Sequence, residues 1–213
     1  MYAADRAAIE AVRSAGARLA AGGLVTGTAG NLSVRIGDHV VVTASGTVLG
    51  ELTPDDLSVV DLAGTVLAGA AKPTSELPLH LSIYRAHPVT AVAHGHAPAS
   101  VAVGLTSDEL PPVHYLTMLL GGVVRVADYA TFGSAELAAA VTAALTDRSA
   151  ALLRNHGSVA VGADIAQACS RLELVEWLAD VYCRAAALGV PRVLTATELA
   201  TAADTFTRLD YGR

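Results

Sequence analysis

Four side chains in this sequence have the types and the setting to do chemistry together. His94 and His96 stand in the apolar run AVAHGHAPAS with only Gly95 between them. On a strand, residues i and i+2 share a face, so the two imidazoles point the same way. Neutral imidazole is the commonest metal ligand. For an isolated H-x-H, a pair of satisfied core or surface histidines is an equal reading. His156 adds a third ring. It sits in LLRNHGS, at the end of an apolar run and just before Gly157, where a side chain can project over a sheet edge into a cleft. Alone it reads as a turn histidine in solvent. Together the three make a catalytic metal plausible, because three protein ligands leave a position open for substrate whereas structural sites close with four. All-nitrogen ligation suits Zn²⁺ best, with Mn²⁺ or Co²⁺ as substitutes.

Glu76 is the obvious carboxylate. It follows KPTS and falls in the first turn of an expected helix. There it complements the helix dipole, acts as a general base beside the metal, or serves as a fourth ligand that moves aside for substrate. Spacing does not choose among these. Three loops, GTAGN (27–31), ASGT (44–47) and PTSE (73–76), offer small residues, hydroxyls and backbone N–H groups. Such nests and helix N-termini bind phosphate without bulk positive charge. Each loop by itself is an ordinary turn.

The elements that must carry these residues are legible in outline. Residues 3–22 suit an amphipathic helix with Ile9, Val12 and Leu19 on one face. The β-branched stretches LSVRI, HVVVT and LSVVDL, separated by turn residues, read as antiparallel strands. TSELPLHLSIYRAHP suits a helix with Thr74 or Ser75 as N-cap and Pro78 in the first turn. VTAVAHGHA reads as a strand, and SAELAAAVTAALTD as a helix capped by Ser134. SAALLRNHGSVAVG reads as two strands about a turn at Asn155–Gly157. A long helix spans Asp164 to Leu188. The expected architecture is one α/β domain over 1–213, a largely antiparallel sheet with helices packed against it.

Composition narrows the function. Of 213 residues, 53% are hydrophobic and 16% charged, so disorder is excluded and some surface is expected to be buried between subunits. A net charge of −6, with Lys72 the single lysine and thirteen scattered arginines, argues against a nucleic-acid partner. No apolar run reaches the roughly 18 residues of a membrane span. Cys169 and Cys183 lie too far apart along one helix to bridge, which fits a reducing compartment. The start MYAADRAAIE has no basic region followed by an apolar one. A soluble cytoplasmic protein is expected.

In this order, the segments TAGNLSVR, VVTASGT, KPTSELPLHLSIYRAHP, VAHGHAPAS, HYLTMLLGG, YATFGSAELA and LLRNHGSVAVG resemble the class II aldolase family. The resemblance covers residues 28 to about 162, and the following helix fits as well. It implies a three-layer α/β/α fold, a homotetramer with active sites between subunits, and zinc held by His94, His96 and His156. It makes Glu76 the catalytic acid/base and places the substrate phosphate on Gly30, Asn31, Ser45, Gly46, Thr74 and Ser75. Thr74 replaces the first of the usual two serines, which adds a methyl group and tightens the pocket. Tyr115 matches a proton-donating tyrosine supplied by a neighbouring subunit, and Tyr211 a C-terminal tyrosine. The implied reaction is reversible cleavage of a ketose 1-phosphate, L-fuculose 1-phosphate-like, to dihydroxyacetone phosphate and a short aldehyde such as lactaldehyde.

Rival readings stay open. A Schiff-base aldolase would have only Lys72 to use. The 4-epimerase branch of the family tends to carry Asp where this chain has Glu76. Related decarboxylases and dehydratases share the metal site. The adducin head, a binding module, lacks the metal ligands. A (β/α)₈ hydrolase is disfavoured by length and by the missing βα alternation. His39, His80, His87 and His114 have no expected role beyond packing or surface.

Overall fold

A computed structural model describes residues 3–69 and 71–210 of the chain. Helix α1 (Ala3–Ala21) leads into an antiparallel meander of β1 (Asn31–Ile36), β2 (His39–Thr43), β3 (Leu57–Asp61) and β4 (Val66–Ala68). Then follow α2 (Leu77–Ala86), β5 (Ala91–Gly95), α3 (Pro98–Thr106), β6 (Glu109–Leu110), a 3₁₀ helix at Tyr115–Leu120, and β7 (Val124–Ala127). Helix α4 (Ala135–Ala144), β8 (Ala150–Leu153), β9 (Gly157–Gly162), α5 (Ile165–Leu188) and α6 (Ala196–Arg208) complete the described chain. The nine strands form one open sheet in the order β4-β3-β2-β1-β5-β9-β8-β7-β6. Only β7 and β8 run parallel.

Both faces of the sheet are covered, as the period-2 alternation of the strands requires. Ala91 and Ala93 of β5, Ala160 of β9 and Val41 of β2 join α1, α3 and α5 in one core. Their neighbours Val92, Val159, Val161, Val40 and Val42 join α2 and α4 in the other. The layers are therefore α/β/α, and the sheet is mostly antiparallel, as expected. Ser134 caps α4 by accepting from the Leu137 N–H at 3.1 Å.

The N-cap of α2 departs from expectation. It is Glu76, with φ −94° and ψ 14°, and its side chain does not cap. Thr74 is spent on the preceding turn: its carbonyl accepts from the Leu77 N–H at 3.1 Å, and its hydroxyl from the Glu76 N–H at 3.3 Å. That turn frees the Glu76 side chain to point into the protein. The elements without a clear sequence signal are α3, α6, the short strands β4, β6 and β7, and the 3₁₀ helices at Leu49–Glu51, Pro54–Asp56 and Tyr115–Leu120.

Three central neighbours, β1, β5 and β9, set the site. Asn31 pairs across from His94, and His94 across from Val159. The end of β5 is pinned on both sides. The His96 N–H donates to the Leu24 carbonyl at 3.0 Å. Just beyond, the Glu176 carboxylate of α5 accepts from the Ala99 and Ser100 N–H groups that open α3, at 2.9 and 2.8 Å. Gly95 faces α5, opposite the histidines. A Cβ there would lie 2.7 Å from the Leu24 carbonyl oxygen and 3.2 Å from Leu172 Cδ2. Gly95→Ala must push these apart, at a cost of about 1–3 kcal/mol. It should lower the urea midpoint and the metal content together; an unchanged midpoint would show that the close approach is unimportant.

Candidate active site

Glu76, His94, His96 and His156 meet at the ends of these strands, with one ligand atom from each lying within 4.8 Å of the others. His94 is fully buried on β5. His96 follows it, just past the strand end. His156 is delivered by the β8–β9 turn, where Asn155 takes φ +55°, a left-handed conformation that asparagine tolerates. The three rings stand edge to face, with centroids 4.8 to 4.9 Å apart.

The donor set calls for a cation. The His94 Nδ1–H donates to the Ser158 carbonyl at 2.9 Å, so a neutral His94 presents a lone pair at Nε2. That Nε2 lies 2.9 Å from His96 Nε2 and 3.0 Å from Glu76 Oε2. His156 Nε2 lies 3.5 Å from Glu76 Oε1. Electron pairs facing one another at these distances repel. Ring protons can bridge these contacts one at a time, and a divalent ion among the nitrogens would satisfy them together. Glu76 Oε1 points the same way: it is buried without a hydrogen-bond partner.

The electrostatics fit this reading. Burial alone would raise the Glu76 pKa, but the facing His94 and the Asn31 amide hold it well below the usual carboxylate range. Burial opposes charge on His94, and the Glu76 carboxylate outweighs it and holds that pKa above its ordinary value. Burial, reinforced by His94, pushes His96 and His156 down to about 4. Both rings are neutral at neutral pH.

A cavity of about 350 Å³ opens over Glu76, His96 and His156. One wall holds all six residues expected to bind phosphate: Gly30, Asn31, Ser45, Gly46, Thr74 and Ser75. Their loops are stitched together by the Thr74 N–H on the Thr43 carbonyl (3.0 Å) and the Ser45 N–H on the Lys72 carbonyl (2.9 Å). Gly30 has φ +96°, and a Cβ there would meet the His94 carbonyl at 3.0 Å. The Asn31 side chain also reaches Glu76: its Nδ2 donates to Oε2 at 2.9 Å.

Tyr129, Ala130, Phe132 and Asn155 also line this cavity and were not singled out from the sequence. Their one signal was the exposed aromatic pair in YATF. Tyr115 does not line this cavity. It packs on His114 and lines a separate groove with Thr205 and Phe206 of α6. Tyr211 lies outside the described residues. No helix among the described residues is long and apolar enough to cross a membrane.

Protons and metal compete for the same imidazole nitrogens. Metal content after dialysis should be one ion per chain at neutral pH and should fall as pH drops toward about 4, where His96 and His156 take up protons. His156→Ala should lose the ion already at neutral pH. Full retention in that variant would remove His156 from the ligand set.

The chain matches the family described as Class II Aldolase and Adducin N-terminal domain over residues 10–183. The 5-methylthioribulose-1-phosphate/5-deoxyribulose-1-phosphate aldolase of Rhodospirillum rubrum is 40% identical over 179 residues, covering 83% of this chain and 80% of that one. The L-fuculose phosphate aldolase of Escherichia coli strain K12 is 36% identical over 187 residues, 86% of each chain. A solved L-fuculose 1-phosphate aldolase aligns with a TM-score of 0.91 at 34% identity, over 97% of this chain and 98% of that one. With the fold and the cluster of imidazoles and carboxylate already in place, these matches make this chain a member of the class II aldolase and adducin N-terminal domain family.

Proposed function

We propose that this protein, a metal-dependent aldolase and carbon–carbon lyase, reversibly cleaves a ketose 1-phosphate to dihydroxyacetone phosphate and a short aldehyde. The observation that carries the reading is Glu76 Oε1, a buried carboxylate oxygen without a hydrogen bond, in a residue that lines a cavity and meets three convergent imidazole nitrogens. His94, His96 and His156 hold the ion, Zn²⁺ by the chemistry of the donor set. Bound there, it supplies a Lewis acid for the negative charge that develops on the substrate oxygens.

The chain's own residues do the rest. The hydroxyls of Ser45, Thr74 and Ser75, with the backbone around Gly30, Asn31 and Gly46, seat the phosphate. In the condensation direction, ionised Glu76 takes a proton from C3 of dihydroxyacetone phosphate through Oε1. The carbanion equivalent attacks the aldehyde carbon, and the C3–C4 bond forms. The aldehyde oxygen takes its proton from Tyr115, which reaches the site from a neighbouring copy in a homotetramer; Tyr211 is assigned to the same end of the substrate. Cleavage is the reverse.

An L-fuculose 1-phosphate-like substrate, giving lactaldehyde, is the first candidate. A 5-deoxyribulose 1-phosphate-like substrate is the second. The wall of Tyr129, Ala130 and Phe132 carries no charge, which favours an aldehyde with an apolar tip over a polyhydroxylated one.

Glu76→Gln should lower kcat by about 10²–10⁴-fold while bound metal stays stoichiometric. Full activity in that variant would end its assigned role. A panel of phosphorylated ketoses should release dihydroxyacetone phosphate. An epimer without triose phosphate would make the protein an epimerase, and CO₂ a decarboxylase.

A further inference from the structure

We infer that His80 is a positioning residue: acting through Asn31, it decides which oxygen of Glu76 is tied down and which is left free to move a proton. The inference rests on Glu76 as the proton carrier.

His80 lies four residues after Glu76, on the same face of the first turn of α2. Its backbone N–H reaches the Glu76 carbonyl at 3.3 Å. Its ring is fully buried and has a partner on each side. Nδ1 is 2.7 Å from Ser33 Oγ, and Nε2 is 2.5 Å from Asn31 Oδ1. Ser33 Oγ is in turn 2.7 Å from the Tyr84 hydroxyl, and Asn31 Nδ2 is 2.9 Å from Glu76 Oε2. Five side chains from α2 and β1 therefore form one buried line, Tyr84–Ser33–His80–Asn31–Glu76.

The direction of each bond follows from its last member. An ionised carboxylate only accepts, so Asn31 must turn its NH₂ toward Glu76 and its carbonyl toward His80. His80 must then donate from Nε2. A ring that burial holds neutral, with its pKa pushed down to about 3, has a lone pair at Nδ1. Ser33 donates to that lone pair, and the Tyr84 hydroxyl donates to Ser33. Every donor points toward Glu76, and bonds aligned in this way strengthen one another.

The line does not carry protons. The Asn31 amide has none to pass on near neutral pH, so the chain is broken as a relay and intact as a brace. Its action is geometric. With the His80 N–H in place, a flipped Asn31 would face a donor with a donor and a carboxylate with a carbonyl. The flip is excluded from both ends, Oε2 stays occupied, and Oε1 remains the oxygen without a hydrogen bond. Without His80, the Asn31 carbonyl loses its donor, the amide is anchored at the carboxylate end alone, and Asn31 and Glu76 can rotate together.

The test uses the metal-loaded enzyme. His80→Gln keeps a donor for Asn31 and an acceptor for Ser33, and should hold kcat within a few-fold. His80→Leu should lower kcat about 10²-fold, with KM and bound metal near wild type, because a misplaced base slows chemistry more than binding. The Asn31→Ala, His80→Leu double variant should be no slower than Asn31→Ala alone, since the second change acts only through the first. An unchanged kcat in His80→Leu, additive losses in the double variant, or a His80→Gln enzyme as slow as His80→Leu would each overturn the proposal. Long-range ¹H–¹⁵N spectra of the wild-type histidines need neither turnover nor a foldable variant. His80 should be neutral with its proton on Nε2; a proton on Nδ1 or a charged ring would overturn the assignment. A wrong substrate class would leave that spectrum unchanged, so the two failures are distinguishable.

Discussion

Four electron-rich groups meet in one buried place, and the rest of the molecule is arranged so that they cannot move apart. Three imidazole nitrogens and a carboxylate within 4.8 Å of one another form a donor set that could hold a metal ion. Holding them there before the ion arrives needs rigid supports on every side. The three central strands β1, β5 and β9 supply them, with α2 entering from above. The Ser158 carbonyl fixes the tautomer of His94, the Leu24 carbonyl and Glu176 pin the chain after Gly95, and the left-handed Asn155 presents His156. A preformed site of this kind loses little to reorganisation when ion and substrate bind.

The two oxygens of Glu76 are not equivalent. Oε2 faces His94 and accepts from Asn31, whereas Oε1 has no hydrogen-bond partner. The division of labour proposed for this carboxylate, one oxygen held and one reacting, rests on that asymmetry. The cavity above divides in the same way. One wall offers hydroxyls and backbone dipoles without a cationic side chain, in keeping with an acidic protein whose one lysine is exposed. Tyr129 and Phe132, which line the same cavity, add aromatic surface without charge. The residues proposed to seat the phosphate would therefore do so with hydroxyls and backbone dipoles rather than with net charge.

Much of this was legible in the sequence, for identifiable reasons. Period-2 stretches such as HVVVT and the H-x-H pair carry their own geometry, so the meander, β5 and the shared face of His94 and His96 were readable. Turn chemistry located RNHG and the cap at Ser134. Other parts depend on contacts distant in sequence. Helix α3 opens on Pro98 with no capping side chain of its own, because Glu176 of α5 does the capping. Glu76 occupies the N-cap of α2 because Thr74 serves the preceding turn, which no propensity predicts. Asn31 looked like part of a phosphate loop, and only the register of β1 against β5 shows it beside Glu76. His80 gave no signal except its offset of four residues from Glu76.

Zinc K-edge X-ray absorption on the purified, zinc-loaded protein tests the central claim most directly, since it reads the identity and distance of the atoms around the ion. The account predicts three imidazole nitrogens at about 2.0–2.1 Å with further light-atom ligation and no sulfur. A sulfur shell at about 2.3 Å, or fewer than three imidazoles, would contradict it.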